Sequence, residues 1–281
     1  MVLDGVYYRD AIDAHKAGRR DDLIRPRLQS YAERGITFLR DGGDAYGAGE
    51  RARELAPEYG IDYRTPTFNL CLKGRYGAFI GRSFETLADY RALVAEVKRR
   101  RGDFIKLMVS GIMDFDRYGK ITSEPLTLDQ MKALFEIAHG EGFRVMAHVN
   151  GADTVKRALE AGVDSVEHGA YMDAEAVRLL AERGVPWVPT LVTVGNLIGC
   201  GRYPDDVLTR ILDSQLKNVA ECARLGGRIA LGSDAGAYRV FHGQGTLDEY
   251  TLLRRALGDR TDTLLTEGER IIREGFIHGA Q

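Results

Sequence analysis

Four short strings constrain what this chain can fold into more than any other feature: Phe-Ile-Lys106-Leu-Met, Met-Ala-His148-Val-Asn-Gly, Val-Glu-His168-Gly-Ala and Leu-Gly-Ser-Asp234-Ala-Gly. Each sets one residue able to bind a metal at or just past the end of an apolar run. Such runs, followed by helical patterns, read as buried strands of a parallel sheet covered on both faces. In a βα barrel the carboxyl ends of all strands meet at one mouth, where catalytic side chains sit. One lysine, two histidines and one aspartate from four different strands would then gather in one place.

The strand candidates are Ile36–Arg40, Tyr63–Leu70, Phe104–Val109, Arg144–His148, Ser165–His168, Trp187–Leu191 and Arg228–Gly232. The helices between them have readable ends. Thr127-Leu-Asp-Gln130 is a capping box ahead of Met131, Leu134, Phe135 and Ala138 on one face. Asp173 can cap a helix that stops at Gly184; Thr154–Ala161 is closed by Gly162, and Pro204–Leu225 by Gly226-Gly227. This alternation predicts an α/β fold, a TIM-type (β/α)8 barrel. Such a barrel takes about 250 residues, so residues 1–281 are expected to form one domain. The tail Thr261–Gln281 is too short and too helical in pattern to build an added β-sandwich, so none is expected.

Only seven strands are evident in the sequence, whereas the barrel needs eight. The remaining candidate, Val2–Tyr8, is interrupted by Asp4-Gly5, a turn signal, and Tyr8–Lys16 already reads as helix. The first strand is therefore expected to be degenerate or missing in this chain.

Lys106 stands inside an apolar strand, where a charge is costly unless it is removed or matched. Its ammonium could reach the mouth and pair with a carboxylate. Alternatively, a buried amine of lowered pKa is nucleophilic and can add carbon dioxide, giving an anionic carbamate able to bridge two metal ions. His148 and His168 are 20 residues apart, with one short helix and a turn between them. That spacing puts them on adjacent strands, and neutral imidazole is a common ligand for zinc and similar divalent ions. Asp234 sits among Gly232, Ser233, Ala235 and Gly236. It either caps the next helix or holds a metal and accepts a proton from a nucleophilic water.

In this order the four strings resemble the amidohydrolase superfamily of metal-dependent hydrolases. Glu33-Arg-Gly-Ile-Thr-Phe-Leu-Arg-Asp-Gly-Gly43, Ala161-Gly-Val-Asp-Ser-Val-Glu-His-Gly169 and Gly232-Ser-Asp-Ala-Gly236 are similar to its imidazolonepropionase and Xaa-Pro dipeptidase branch. The likeness runs from about residue 23 to 257. It implies that Lys106 is the carboxylated lysine bridging two metals, that His148 and His168 are ligands, and that Asp234 is both ligand and proton shuttle. It further implies hydrolysis of an amide-type C–N bond, in a cyclic amide or dipeptide-like small molecule, by a metal-bridging hydroxide.

The departure is at the start. The family carries a His-x-His pair on its first strand, and this sequence has none. Aligning Leu3-Asp-Gly-Val-Tyr-Tyr8 to that strand puts Val6 and Tyr8 where the histidines belong, which gives a damaged or redesigned site. In the alternative alignment, which we prefer, Met1 falls just after the motif and Val2–Gly18 form the first loop and an extra helix. The expected load is then two divalent ions, most simply zinc, if a first-strand His pair exists, and otherwise one or none. His15, in a charged helical stretch, is a poor substitute ligand. A catalytically silent or truncated barrel, and a mononuclear metal lyase or isomerase, are the competing readings.

Around this centre, His242, Tyr171, Asn150, Tyr238 and Arg40 are candidates for contact with substrate. Thr190 could also line the pocket. His242 reads equally as a loop residue with no role, and Arg40-Asp41 equally as a structural pair. His139 and His278 look peripheral, and Lys98-Arg-Arg-Arg101 is most simply a solvated helix end. With 39 basic and 41 acidic residues the net charge is −2, which gives no electrostatic reason to expect nucleic acid or an anionic membrane as partner. No apolar run is long enough to span a bilayer and no secretory signal is visible. The cysteines Cys71, Cys200 and Cys222 form no CxxC and read as reduced thiols, so a cytoplasmic location is expected. A missing strand would leave two sheet edges open, which favours a homo-oligomer.

Overall fold

Strands and helices alternate along the chain in the computed structural model, which describes residues 1–16, 18 and 20–278. The strands are β1 (Phe38–Arg40), β2 (Asp62–Arg64), β3 (Asn69–Leu72), β4 (Arg82–Phe84), β5 (Ile105–Met108), β6 (Val145–Val149), β7 (Ser165–His168) and β8 (Trp187–Val188). The α-helices are α1 (Tyr8–Lys16), α2 (Asp21–Ala32), α3 (Ala48–Leu55), α4 (Leu87–Arg99), α5 (Leu128–Gly140) and α6 (Ala152–Glu160). They continue as α7 (Ala174–Arg183), α8 (Val192–Gly195), α9 (Asp205–Arg224), α10 (Gln244–Leu257) and α11 (Thr261–Gly275).

The helix ends form for the reasons their sequences give. Thr127 and Gln130 close the expected capping box on α5, and Thr86 with Asp89 does the same for α4. The Asp173 carboxylate accepts from the Ala176 amide, and Gly184 ends α7 in the left-handed conformation. The predicted helix over residues 8–16 is present as α1.

All strand pairs are parallel. One sheet runs β4-β3-β5-β6-β7-β8, and β1 pairs with β2 separately. The chain just past β2 meets the residue before Phe104 through two bonds: the Asp103 amide donates to the Thr65 carbonyl (2.9 Å) and the Thr65 amide to the Asp103 carboxylate (2.8 Å). At the far edge the Trp187 amide donates to Arg228 and the Ala230 amide to Trp187, both at 2.9 Å. The strand neighbours therefore follow the order of a βα barrel, from β1 round to residues 228–230. Trp187, Phe135, Leu107, Val145 and Val166 lie in the main core between sheet and helices.

Among the described residues no strand lies between residues 228–230 and β1. The first-strand candidate Val2–Tyr8 pairs into no ladder, and its last residue, Tyr8, already opens α1. Two other segments cover that side. Helix α11 packs Gly268 directly on the Ile229 carbonyl. Its Ile272 and the following Phe276 pack with Phe104, Met146, Val188 and Ala230. Its Arg273 reaches Asp62 (3.0 Å) and stacks over Phe38. At the other end, the Gly5 amide donates to Gly236 and the Arg239 amide to Gly5, so residues 1–5 run along the loop that follows Asp234. Val2 is buried with Ile12, Ile24 and Leu28.

Other differences from expectation have local causes. The Tyr63–Leu70 candidate is split into β2 and β3 at residues 65–68, where Pro66 has no amide to donate and Thr67 takes φ 67°. The Trp187–Leu191 candidate shortens to two residues because the chain turns at Thr190, φ 51°. Arg228–Gly232 keeps a single bridge to Trp187. Strand β4, beside β3, has no counterpart among the expected strands. Ala17 and residues 279–281, parts of the expected first-loop and tail segments, lie outside the described residues. No described helix is long and apolar enough to cross a membrane.

Candidate active site

A cavity of about 1280 Å³ opens where the strands end, and Lys106, His148, His168 and Asp234 all line it. Strand register explains part of this. Met108 pairs with His148 and His148 with Glu167, so these residues share a face, and Lys106 shares it two residues earlier on β5. His168 follows Glu167 and by alternation would face away. It instead takes φ 69°, which swings its ring into the cavity beside His148, with ring centroids 4.6 Å apart. Asp234 is likewise left-handed, φ 53°, in the tight loop its small neighbours allow. Strained backbone of this kind persists where surrounding structure fixes it, and it clusters at functional sites.

The hydrogen bonds assign the two imidazoles opposite tautomers. His148 Nε2 lies 3.1 Å from the Gly111 carbonyl, which can only accept, and 3.4 Å from Asn150 Nδ2, whose own proton goes to that carbonyl; the shorter contact places the ring proton on Nε2 and leaves Nδ1 free. His168 Nδ1 lies 2.6 Å from the Thr190 hydroxyl, whose own proton goes to the Pro189 carbonyl at 2.8 Å. Nδ1 therefore carries the proton and Nε2 is free. Burial, reinforced by Lys106, brings the His148 pKa down to about 3. Burial followed by His148 and Lys106 holds His168 well below the usual histidine range. Both rings are neutral, the form that binds metal.

Lys106 is 4% exposed and, among the described residues, makes no ion pair. Burial brings its amine down to about 8 against the opposing pull of Glu167 and Asp234. The nearby carboxylate of Glu167 is engaged elsewhere. Arg40 Nη2 donates to it at 2.7 Å while Arg40 Nη1 donates to Ser165 Oγ at 3.0 Å, and the guanidinium stacks on Phe276. Burial pushes Asp234 up to about 6, with Lys106 pulling the other way.

The residues expected to touch substrate divide. Tyr238 lines the cavity with Arg202 over its ring. Arg40 lines it too, but as the partner of Glu167. Asn150 lines it while tied on both sides: its amide donates to Ser110 Oγ, its Oδ1 accepts from Ala170 and its Nδ2 donates to Gly111. His242 borders the cavity with Nε2 on the Leu3 carbonyl (2.8 Å) and Nδ1 on Tyr31 Oη (3.1 Å). Tyr171 is not brought to the cavity; its ring packs against Tyr118. His15 is buried beside Arg27, also away from it. His139 bonds Asp164 and His278 the Glu141 carbonyl, both outside the cavity.

Three contributors were not visible in the sequence. Tyr76, in the loop after β3, stacks on His148 with centroids 4.9 Å apart. Gly111 orients His148 through its carbonyl, which no side-chain pattern encodes. Glu167 stands beside His168, and in a regular strand two neighbouring side chains face opposite ways, so the pattern does not bring both inward.

The donor chemistry fits a divalent cation: two neutral imidazoles, each with its second nitrogen held by the protein, plus a carboxylate and a lysine amine on the same wall. Among the described residues, no three of His, Cys, Asp and Glu stand close enough to enclose an ion unaided.

The sequence profile of the amidohydrolase family matches residues 28–270. An uncharacterized protein of Mycobacterium tuberculosis is 32% identical over 187 residues, covering 64% of this chain and 49% of the relative. Ochratoxinase of Aspergillus niger is 31% identical over 189 residues, covering 65% and 38%. The chain thus spans about half or less of the length of the curated relatives it matches. Among solved structures, a Xaa-Pro dipeptidase with methionine bound in its active site superposes with a TM-score of 0.74 at 21% identity, covering 91% of this chain and 69% of that one. That likeness is one of fold.

Proposed function

The chain belongs to the amidohydrolase family, and we propose that it is a metal-dependent hydrolase cleaving an amide-type C–N bond in a cyclic amide or dipeptide-like small molecule. The observation that carries this reading is the opposed tautomers of His148 and His168. Gly111 and Thr190 each hold one ring nitrogen, which leaves a lone pair on either ring at the wall shared with Lys106 and Asp234. Ochratoxinase is a relative in sequence, and a solved structure of the same fold bears a name, Xaa-Pro dipeptidase, that denotes cleavage of a peptide bond.

His148, His168 and Asp234 are the proposed ligands, with Lys106 joining them as its carbamate. An amine brought down to about 8 by burial is partly unprotonated at neutral pH and can add carbon dioxide. A divalent ion held there, most simply zinc, would supply Lewis acidity to the scissile carbonyl and lower the pKa of water. The protein supplies the proton path. Asp234, whose carboxylate is on the cavity wall, is placed to take a proton from the attacking water. It then gives that proton to the departing amine nitrogen. Tyr76, Tyr238 and Arg202 line the approach and would orient the substrate.

A one-ion site is the second reading, favoured by the absence of any three-residue His/Cys/Asp/Glu cluster among the described residues. Metal analysis of the purified protein, with amine release from a panel of dipeptides and N-acyl amino acids, separates the cases. About two ions per chain with turnover supports the bridged site, and one ion the simpler one. A metal-free protein inert after zinc and bicarbonate are added would refute the hydrolase.

A further inference from the structure

Glu249 is a fully buried carboxyl on α10 that the chemistry above does not use. Its Oε2 accepts from the Val192 amide at 2.7 Å, and among the described residues its Oε1 has no hydrogen-bond partner. Val192 opens the short helix α8, directly after the turn at Thr190. That turn is strained. Thr190 has φ 51° although it is β-branched, and its carbonyl is held by the Thr193 hydroxyl at 2.8 Å. Its hydroxyl fixes the proton on His168 Nδ1. A chain of direct contacts therefore runs from a helix on the outer layer to a ring in the cavity.

We propose that Glu249 is a positioning residue: by clamping the Thr190–Val192 turn it holds the Thr190 hydroxyl where it selects the His168 tautomer and frees Nε2 to bind metal. Partners in this outer position are worth about 10- to 100-fold in metal affinity. A carboxyl with one unpaired oxygen in an apolar setting is costly, and its retention here matches a turn that would otherwise relax. Burial pushes Glu249 up to about 8, so at neutral pH it is mainly the neutral acid, which glutamine imitates.

The inference rests on the metal-site reading, but its test has a metal-independent arm. In the apo protein, long-range 1H–15N spectra of the histidine rings report the His168 tautomer. In parallel, chelator competition gives zinc affinity for the wild type, E249Q, E249L, T190V and E249L/T190V. E249Q is expected to keep the Nδ1–H tautomer and near wild-type affinity. E249L and T190V are expected to lose the tautomer preference and about 10- to 100-fold in affinity, with the double variant no worse than the weaker single one. Should E249L fail to fold, E249D, whose shorter arm cannot reach Val192, takes its place. An unchanged tautomer in folded E249L or E249D, or losses that simply add in the double variant, overturns the proposal. A wild type that binds no zinc yet shows the tautomer shifts sinks the metal-site reading and leaves the positioning role standing.

Discussion

Glu167 and His168 are consecutive residues at the end of one strand, and both face the barrel interior. In a regular strand that is impossible, because neighbouring side chains point to opposite faces. The φ of 69° at His168 ends the alternation at that residue. The inner layer thus receives a carboxylate, which it gives to Arg40, and the mouth receives an imidazole. One backbone kink supplies both a structural anchor and a candidate ligand.

The Arg40–Glu167 pair is 6% and 4% exposed, so removing one partner leaves a charge stranded in the interior. R40M or E167L alone should lower unfolding stability by about 3–5 kcal/mol. The double variant R40M/E167L should recover most of that loss, because no buried charge remains. Urea denaturation of the four proteins decides it; single-variant losses that add in the double would show that the pair is not the source.

Lys106→Ala and Asp234→Asn should each abolish hydrolysis while leaving the fold largely intact, since each removes a group that faces the cavity. Lys106→Ala should even spare the cost of burying an amine, so its melting temperature should not fall. Circular dichroism melts and amine release measure the two properties on the same samples. Normal turnover by either variant contradicts the proposed chemistry.

How much of this was legible beforehand follows from what a sequence encodes. His148, His168 and Asp234 were readable because each stands at or just past the end of an apolar run, which a parallel sheet turns into a location, and Lys106 because a charge inside such a run is conspicuous. The caps on α5 and α7 were readable because their bonds are local. The missing pieces depend on contacts between distant residues. Gly268 of α11 meets Ile229 where a first barrel strand was sought, and nothing in Thr261–Gly275 announces that destination. The engagement of His242 by Leu3 and Tyr31 joins residues more than two hundred positions apart. The shortening of Arg228–Gly232 to one bridge reflects the lack of a strand on its outer side, which apolar content cannot reveal.

The Glu249 carboxyl makes stability depend on pH in a definite direction. Its pKa rises from 4.5 unfolded to about 8 folded because it is buried. Between those values the unfolded chain has released the proton and the folded one still holds it, so the folded state binds more protons and loses stability as pH rises. The contribution is complete below about 4.5, declines by at most about 1.4 kcal/mol per pH unit, and levels off above about 8. E249Q does not titrate. Urea midpoints from pH 5 to 9 should therefore show wild type weakening relative to E249Q. Parallel curves for the two proteins would mean that Glu249 is ionised throughout the range.

Helix α11 gives a test of how the open side is sealed. Gly268 sits in the middle of that helix, where alanine is ordinarily better by about 0.8–1.0 kcal/mol. Here a Cβ would run into the Ile229 carbonyl oxygen and the Ala230 backbone, neither of which can swing aside as a side chain could. G268A should therefore destabilise the protein, by about 1–3 kcal/mol, the usual scale of overpacking, and should loosen α11 from its seat. The control is Gly140, at the end of α5, where a Cβ meets nothing within 4 Å. G140A should be neutral or mildly stabilising. Thermal melts of both variants, with hydrogen exchange over residues 261–276, measure the effect. If G268A proves as stable as G140A with α11 equally protected, the helix does not lie on the backbone of Ile229 and Ala230.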